Sequence, residues 1–257
     1  MRFKLIACDV FLRELCAYIA RSPHIIDPEF TELGSHKNSD TLRKIIQIKI
    51  DEADGSDIAY DAILLGYGLC GNALAGITAR NTKLVIPRAH DCCTIFLGST
   101  AAFAKHFGPN PSQPFTTVGY YERCGTQVRQ EDSISLDGKL YSFDEYARIY
   151  GEENARYIFE QLQPKSSSQK KRLIFIDMPG TPAGEALGHM EKAARDESRE
   201  FVVLKGNGRL LENLVGGTWP KKDFCIIPPG NHIEAVYDWD EIVRSKKKKA
   251  GGRRLEA

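Results

Sequence analysis

The chain has 257 residues, 42% of them hydrophobic and 27% charged, an ordinary globular composition with enough length to bury a sizeable core in one large α/β unit or two smaller lobes. No apolar run reaches the ~18 residues that a membrane helix needs, so no membrane partner is expected. Seven Lys or Arg residues fall between Arg244 and Arg254, where there is no acid, so behind a net charge of +1 the rest of the chain is mildly acidic. This excludes a folded basic face of the kind that binds nucleic acid.

Residues 2–10 read as a first strand and 11–21 as a helix with Leu12, Leu15 and Ile19 at helical spacing, which puts Cys8 and Asp9 at the turn between them. Cys16 lies inside that helix among core-like residues, where a cysteine is expected to be a small buried hydrophobe. Residues 25–33 read as a second strand, and 41–53 as a helix ended by the Asp54-Gly55-Ser56 turn. Two short apolar runs, 61–66 and 83–87, then read as buried parallel strands, each bounded by turn residues and followed by a helix-like segment. The first such segment covers 72–79. The second covers 94–106 and stops at Gly108-Pro109-Asn110-Pro111.

Residues 119–125 gather polar, aromatic and thiol groups with no helical or strand period, as in a loop over a site. Ser142 and Glu145 fit a capping box that opens a helical region over 143–163, and the polar, Ser-rich residues 164–171 read as a linker. Strands are expected at 172–177, 201–204 and 224–227, with helices at 183–195 and 210–215 between them. Each of these strands runs into a glycine-containing turn, so their ends are expected to share one edge. The fold class predicted is α/β, a largely parallel sheet flanked by helices. It would be either one doubly wound domain or two similar lobes, residues 1–125 and 172–243, joined by a helical connection over 126–171. The basic residues 244–257 read as a disordered tail.

The start MRFKLIACDVF lacks the apolar core and cleavage site of a secretory signal, which predicts a cytoplasmic protein. Reduced thiols are expected there, so seven cysteines call for metal binding, catalysis or burial and not for disulfides. Cys8, Cys70 and Cys92 each follow a different strand. In an open α/β sheet, ligands bind beyond the carboxyl ends of the strands, so the three thiols are predicted to converge with His90 and Asp91. A catalytic zinc takes three Cys, His or carboxylate ligands and keeps one open position. Cys8, Cys70 and Cys92, with His90 as a fourth ligand or a base, meet that count, although no paired C-x-x-C or H-E-x-x-H spacing occurs. Cys70 has a second predicted role as a nucleophile on the turn made by Gly68, Gly71 and Asn72, with its thiol pKa lowered by a following helix, His90 as its base and Asp91 as the orienting carboxylate. The same turn is the candidate cofactor contact. An iron-sulfur cluster on the three cysteines is the alternative to zinc.

The motifs IACDVFLREL, YDAILLGYGLCGN and LVIPRAHDC followed by TIFLGS resemble a family of proteins known as domain of unknown function sixteen-thirty-eight. The resemblance is densest over residues 3–125 and continues through FIDMPG and IIPPG. It carries Cys8, Cys70, His90, Asp91 and Cys92 onto the family motif. Asp9 departs from the glutamate usual there, and Cys93 and the basic tail also depart from the pattern. Some members are encoded beside corrinoid-dependent methyltransferases, so the resemblance implies one-carbon or thiol chemistry. The expected activity is that of a metal-dependent enzyme acting on a small thiol or methylated substrate. A non-enzymatic accessory protein that hands a metal or corrinoid cofactor to a methyltransferase partner is the reading from another class.

Overall fold

A computed structural model describes residues 1–33, 39–110, 113–124, 152, 172–236, 238 and 241–247. The helix expected over 143–163, apart from Glu152, the linker over 164–171 and the tail beyond 247 lie outside the described residues.

The architecture is α/β with a mostly parallel central sheet. Strands β1 (Arg2–Cys8), β2 (Ile25–Thr31), β3 (Ala62–Gly66), β4 (Leu84–Pro87) and β8 (Phe224–Ile227) lie in the order β2-β1-β3-β4-β8. The first four run parallel, and β8 pairs antiparallel with β4, from Leu84 opposite Ile227 to Pro87 opposite Phe224. A second sheet is built from β5 (Phe115–Thr116), β6 (Arg172–Asp177) and β7 (Glu200–Lys205), all parallel. Strands β9 (Asn231–Ala235) and β10 (Val243–Lys247) form an antiparallel pair. Every residue of β3 and β4 is buried, as continuous apolar runs covered on both faces must be.

The helices are α1 (Leu12–Ile19), reached from β1 through a single 3-10 turn (Asp9–Phe11), α2 (Ser39–Asp54), α3 (Cys92–Leu97), α4 (Thr100–Phe107), α5 (Val118–Cys124), α6 (Gly184–Asp196) and α7 (Arg209–Val215). Alternation along β6 joins the two sheets to one interior. Ile174 and Ile176 belong to the same buried cluster as β1, β3 and β4, whereas Leu173 and Phe175 pack with Ala186, Met190 and Ala194 of α6. The alternation is the period of a strand, and the spacing of four along α6 is that of one helix face.

Several expectations are corrected. Strand β8 does not extend a βαβ series: it runs antiparallel, so the Pro228–Asn231 turn emerges at the amino edge of β4, away from the other strand ends. Residues 72–79 are not helical. Residues 72–76 form turns, with Ala73 N donating to Cys70 O (3.2 Å) and Ala75 N to Asn72 O (3.1 Å), and hairpin strand β9 holds the chain that follows, with Gly76 N donating to Ile233 O (2.8 Å), Ile233 N to Ile77 O (2.8 Å) and Ala79 N to Asn231 O (2.9 Å). The helix expected over 94–106 is two helices, because Gly98 ends α3 at φ 77° and Ser99 caps α4 by accepting from Ala102 N. Cys16 is exposed, since α1 turns Glu14, Leu15 and Tyr18 inward instead. The basic run does not begin as a disordered tail, because Arg244–Lys247 lie in β10, where Arg244 and Lys246 both pair with Glu234 on β9.

Two measurements check this packing. Ile63 is fully buried on the central strand β3, while Ile226 is 42% exposed on β8. Ile63→Ala is expected to cost roughly 2–5 kcal/mol and Ile226→Ala under about 1 kcal/mol, read as urea unfolding midpoints. Equal losses would mean that β8 is not placed as described. Glu14 on α1 is 2% exposed, with Thr181 beside its carboxyl, and burial raises its pKa above the ordinary 4.5. A carboxyl raised on folding gives stability that is full below the unfolded pKa and lost as pH rises through the folded one. Glu14→Gln, which mimics the protonated form, should therefore be more stable than wild type at pH 7, with the gain vanishing below pH 4.5. A gain that persisted at pH 3 would contradict the assignment.

Candidate functional site

The candidate residues lie beyond the carboxyl ends of β1, β3 and β4. Cys8 is the last residue of β1 and is buried, and its sulfur lies 3.9 Å from Asp9 Oδ1. The loops that leave β3 and β4 continue the pairing of the two strands: Leu69 N donates to Ala89 O (2.8 Å) and Cys70 N to His90 O (2.9 Å). This contact sets Cys70 beside residues 90–92. It depends on Gly68, where a Cβ would stand 2.6–2.8 Å from the backbone of Asp91. The glycine predicted as a cofactor contact thus has a demonstrable role in loop packing.

Cys70, Gly71 and Asn72 have φ values of 47°, 61° and 67°, a left-handed run that only glycine, and to a lesser degree asparagine, adopts at small cost. Neighbouring chain holds the turn in place. Ser39 Oγ donates to Gly71 O (2.9 Å) and Arg43 Nη2 to Asn72 O (2.7 Å). With no helix after it, Cys70 is not an activated thiol of the predicted kind. Burial pushes its pKa well up, the nearby Cys92, Cys8 and Asp91 add to the rise, and a backbone hydrogen bond from Gly68 opposes it.

Asp91 caps α3, its Oδ1 accepting from Thr94 N (3.1 Å) and Thr94 Oγ1 (3.3 Å). His90 is half-buried with its ring 6.4 Å from that of Phe103. Burial lowers its pKa below the usual 6.5, against the opposing charge of Asp91, so the imidazole is neutral at pH 7 and able to accept a proton. Cys93 is buried in α3, within the core cluster, in keeping with its place outside the predicted site.

Two phenols complete the cluster. Tyr67 is 1% exposed and shares a 2.7 Å hydrogen bond with Thr31. Burial raises its pKa well above 10, with Cys8, Cys70 and Asp9 adding to the rise. Tyr120, from α5 after the second sheet, touches the Cys92 sulfur through its hydroxyl at 2.7 Å, and burial, then Cys92, Cys8 and Asp91, raise it likewise. Arg123 on the same helix lies 3.6 Å from Asp9, whose carboxyl burial holds above its ordinary value. Sequence reasoning placed residues 119–125 over the site as a loop and missed the helix Val118–Cys124. It also gave no role to Tyr67, Tyr120, Thr31 or Arg123, and the aromatic content of that segment was the one available signal.

The three thiols are thus brought to one edge and into electrostatic reach of one another. Among the described residues, no three His, Cys, Asp or Glu side chains stand where one ion would join them. The predicted convergence holds for position at this edge but not for a preformed tetrahedral set.

The model of a known family matches residues 30–215, and its description is Protein of unknown function (DUF1638). The chain belongs to that family. The match takes in Cys70, His90, Asp91, Cys92 and Tyr120 of this family member, and Cys8 and Asp9 precede it. No curated protein and no solved structure matches the chain. No described helix is long and apolar enough to cross a membrane.

A methyl at position 68 has backbone, not a flexible side chain, in its way. Gly68→Ala is expected to cost about 1–3 kcal/mol by forcing the loops apart, measured by urea unfolding. Wild-type stability would show that the close approach of Gly68 to Asp91 is dispensable.

Proposed function

We propose that this protein is a metal-dependent enzyme acting on a small thiol or methylated substrate at the carboxyl edge of β1, β3 and β4. Cys8, Cys70 and Cys92 are the soft ligands, zinc is the metal, and His90 is a fourth ligand or the proton acceptor. The observation that supports this reading is that three segments far apart in sequence bring Cys8, Cys70 and Cys92 to one strand edge, through the end of β1 and the paired loops after β3 and β4. A buried thiol held protonated is a poor nucleophile by itself, and it becomes a strong ligand when a metal ion replaces its proton. When bound, zinc supplies Lewis acidity that activates a water molecule or a substrate thiol at neutral pH.

The residues around the thiols suit such a role. Neutral His90 accepts the proton released by substrate. The buried phenols and apolar walls keep the dielectric low, which strengthens every charge interaction at the edge. Zinc to sulfur bonds of ~2.3 Å require the sulfurs to come within roughly 4 Å of one another.

The test is metal analysis of anaerobically purified wild type and Cys70→Ser, followed by zinc titration. Roughly one zinc per chain is expected in the wild type, and weak or no binding in the variant. Wild type that neither retains nor takes up zinc overturns the reading. A brown, oxygen-sensitive wild type replaces zinc with an iron-sulfur cluster on the same cysteines.

A further inference from the structure

We propose that the outer edge of β7 is an interaction surface whose partner is a second copy of this chain, the two β7 strands pairing antiparallel about a twofold axis at Val203. No thiol takes part, so the proposal is independent of the zinc reading.

Hydrogen bonding inside the second sheet fixes which groups of β7 point outward. Gly206 N donates to Asp177 O (2.8 Å), and orientation alternates along a strand, so Glu200, Val202 and Leu204 turn their N–H and C=O toward β6. Phe201, Val203 and Lys205 turn theirs away from it. Among the described residues no strand lies on that side, and an open edge of this kind is a template for another chain unless proline or charge blunts it. The first sheet shows such protection. Ile25 N donates to Met1 O (3.1 Å), so the outward series of its edge strand β2 is Ile26, Pro28 and Phe30, and Pro28 has no N–H to offer. β7 has no proline and an apolar centre. Val203 is 49% exposed, with Phe201 partly buried against α6 on the same face and Val202 and Leu204 partly buried against the main core on the other.

A second copy suits this edge because a twofold axis reverses strand direction and lets one patch complement itself. Charge selects the direction and the register. The strand has Glu200 at its amino end and Lys205 at its carboxyl end, so antiparallel pairing sets the basic end of one copy beside the acidic end of the other, whereas parallel pairing would set like beside like. Outward residues must face outward residues, each pair exchanging two hydrogen bonds. With Val203 opposite its counterpart, Phe201 faces the partner's Lys205, Val202 faces the partner's Leu204, and all the outward residues of both strands are used. Arg199 then lies diagonal to the partner's Lys205, and Glu197, 2.7 Å from Arg199, offsets that charge. A shift one way would set Arg199 directly opposite Lys205, and like charges so placed are destabilising. A shift the other way would bring the two Lys205 side chains together and leave Phe201 facing Asn207, beyond the strand. The favoured register joins the two second sheets into one continuous sheet across the axis.

The experiment is sedimentation velocity of the full chain across about 1 μM to 1 mM, in reductant so that the exposed Cys16 cannot link copies. Wild type is expected to move from one chain toward twice its 28.7 kDa as concentration rises. Wild type that stays monomeric throughout overturns the proposal. Val203→Lys and Val203→Glu each set like charges face to face at the axis, and each alone should associate at least about tenfold more weakly. Mixing the two should restore association, because lysine faces glutamate only if position 203 pairs with itself. Circular dichroism checks that both variants fold. Wild-type association in either folded variant alone, or no recovery when the two are mixed, refutes pairing through β7. Should either variant not fold, Val203→Pro, which removes the outward N–H at the axis and no bond to β6, takes its place, and association unchanged from wild type overturns the proposal. Because neither metal nor turnover enters, the result stands apart from that of the zinc test.

Discussion

The site depends on one contact between two loops. After β3 and β4 separate as strands, Leu69 and Cys70 still donate to Ala89 and His90, and Gly68 lies flat on the Asp91 backbone. Without that contact Cys70 has no reason to stand beside Cys92. The approach demands glycine at position 68, and continuing the chain from there demands the left-handed turn at residues 70–72. A non-glycine residue held left-handed costs on the order of 1–2 kcal/mol. For Cys70 that cost is met by the hydrogen bonds from Ser39 and Arg43 on the far side of the turn. Strain of this kind persists only where the surrounding structure over-determines the backbone.

Burial then sets the chemistry of what the loops bring together. Cys8, Cys70, Cys92, Tyr67 and Tyr120 are all weak acids, and ionised they would repel one another in a medium of low dielectric. Burial holds Cys70, Tyr67 and Tyr120 well above their ordinary values, so these three are protonated at rest. His90 departs in the opposite direction, because desolvation disfavours its cation.

The second sheet matters to the site as well as to the core. Strand β6 shows one face to the main interior and the other to α6, so the two sheets cannot shift independently without breaking apolar packing. β5 and α5 inherit that fixed relation. Tyr120 thereby reaches Cys92 and Arg123 reaches Asp9, and the 3-10 turn after Cys8 is where α5 approaches the first sheet backbone to backbone.

The sequence by itself determined the α/β class, the strands through β4, the position of Cys8 at a strand end and the edge at which Cys70, His90 and Cys92 gather. These follow from short-range rules: apolar run length, turn residues, and the constraint that parallel strands point their carboxyl ends one way. The family, too, was legible in the motifs around those residues. Only the tertiary structure decided that residues 77–79 pair with β9 and do not continue a helix, because that strand lies more than 150 positions along the chain. The same holds for the reversal of β8, since Phe224–Ile227 is equally apolar in either direction. Residues 119–124 carry no amphipathic period because α5 is packed by a glycine against backbone on one side and by aromatic and charged groups on the others. The direction of the Cys70 pKa was likewise a matter of burial, which no local spacing encodes. Local pattern fixes elements and ends; which sides of them meet is set by packing between segments distant in the chain.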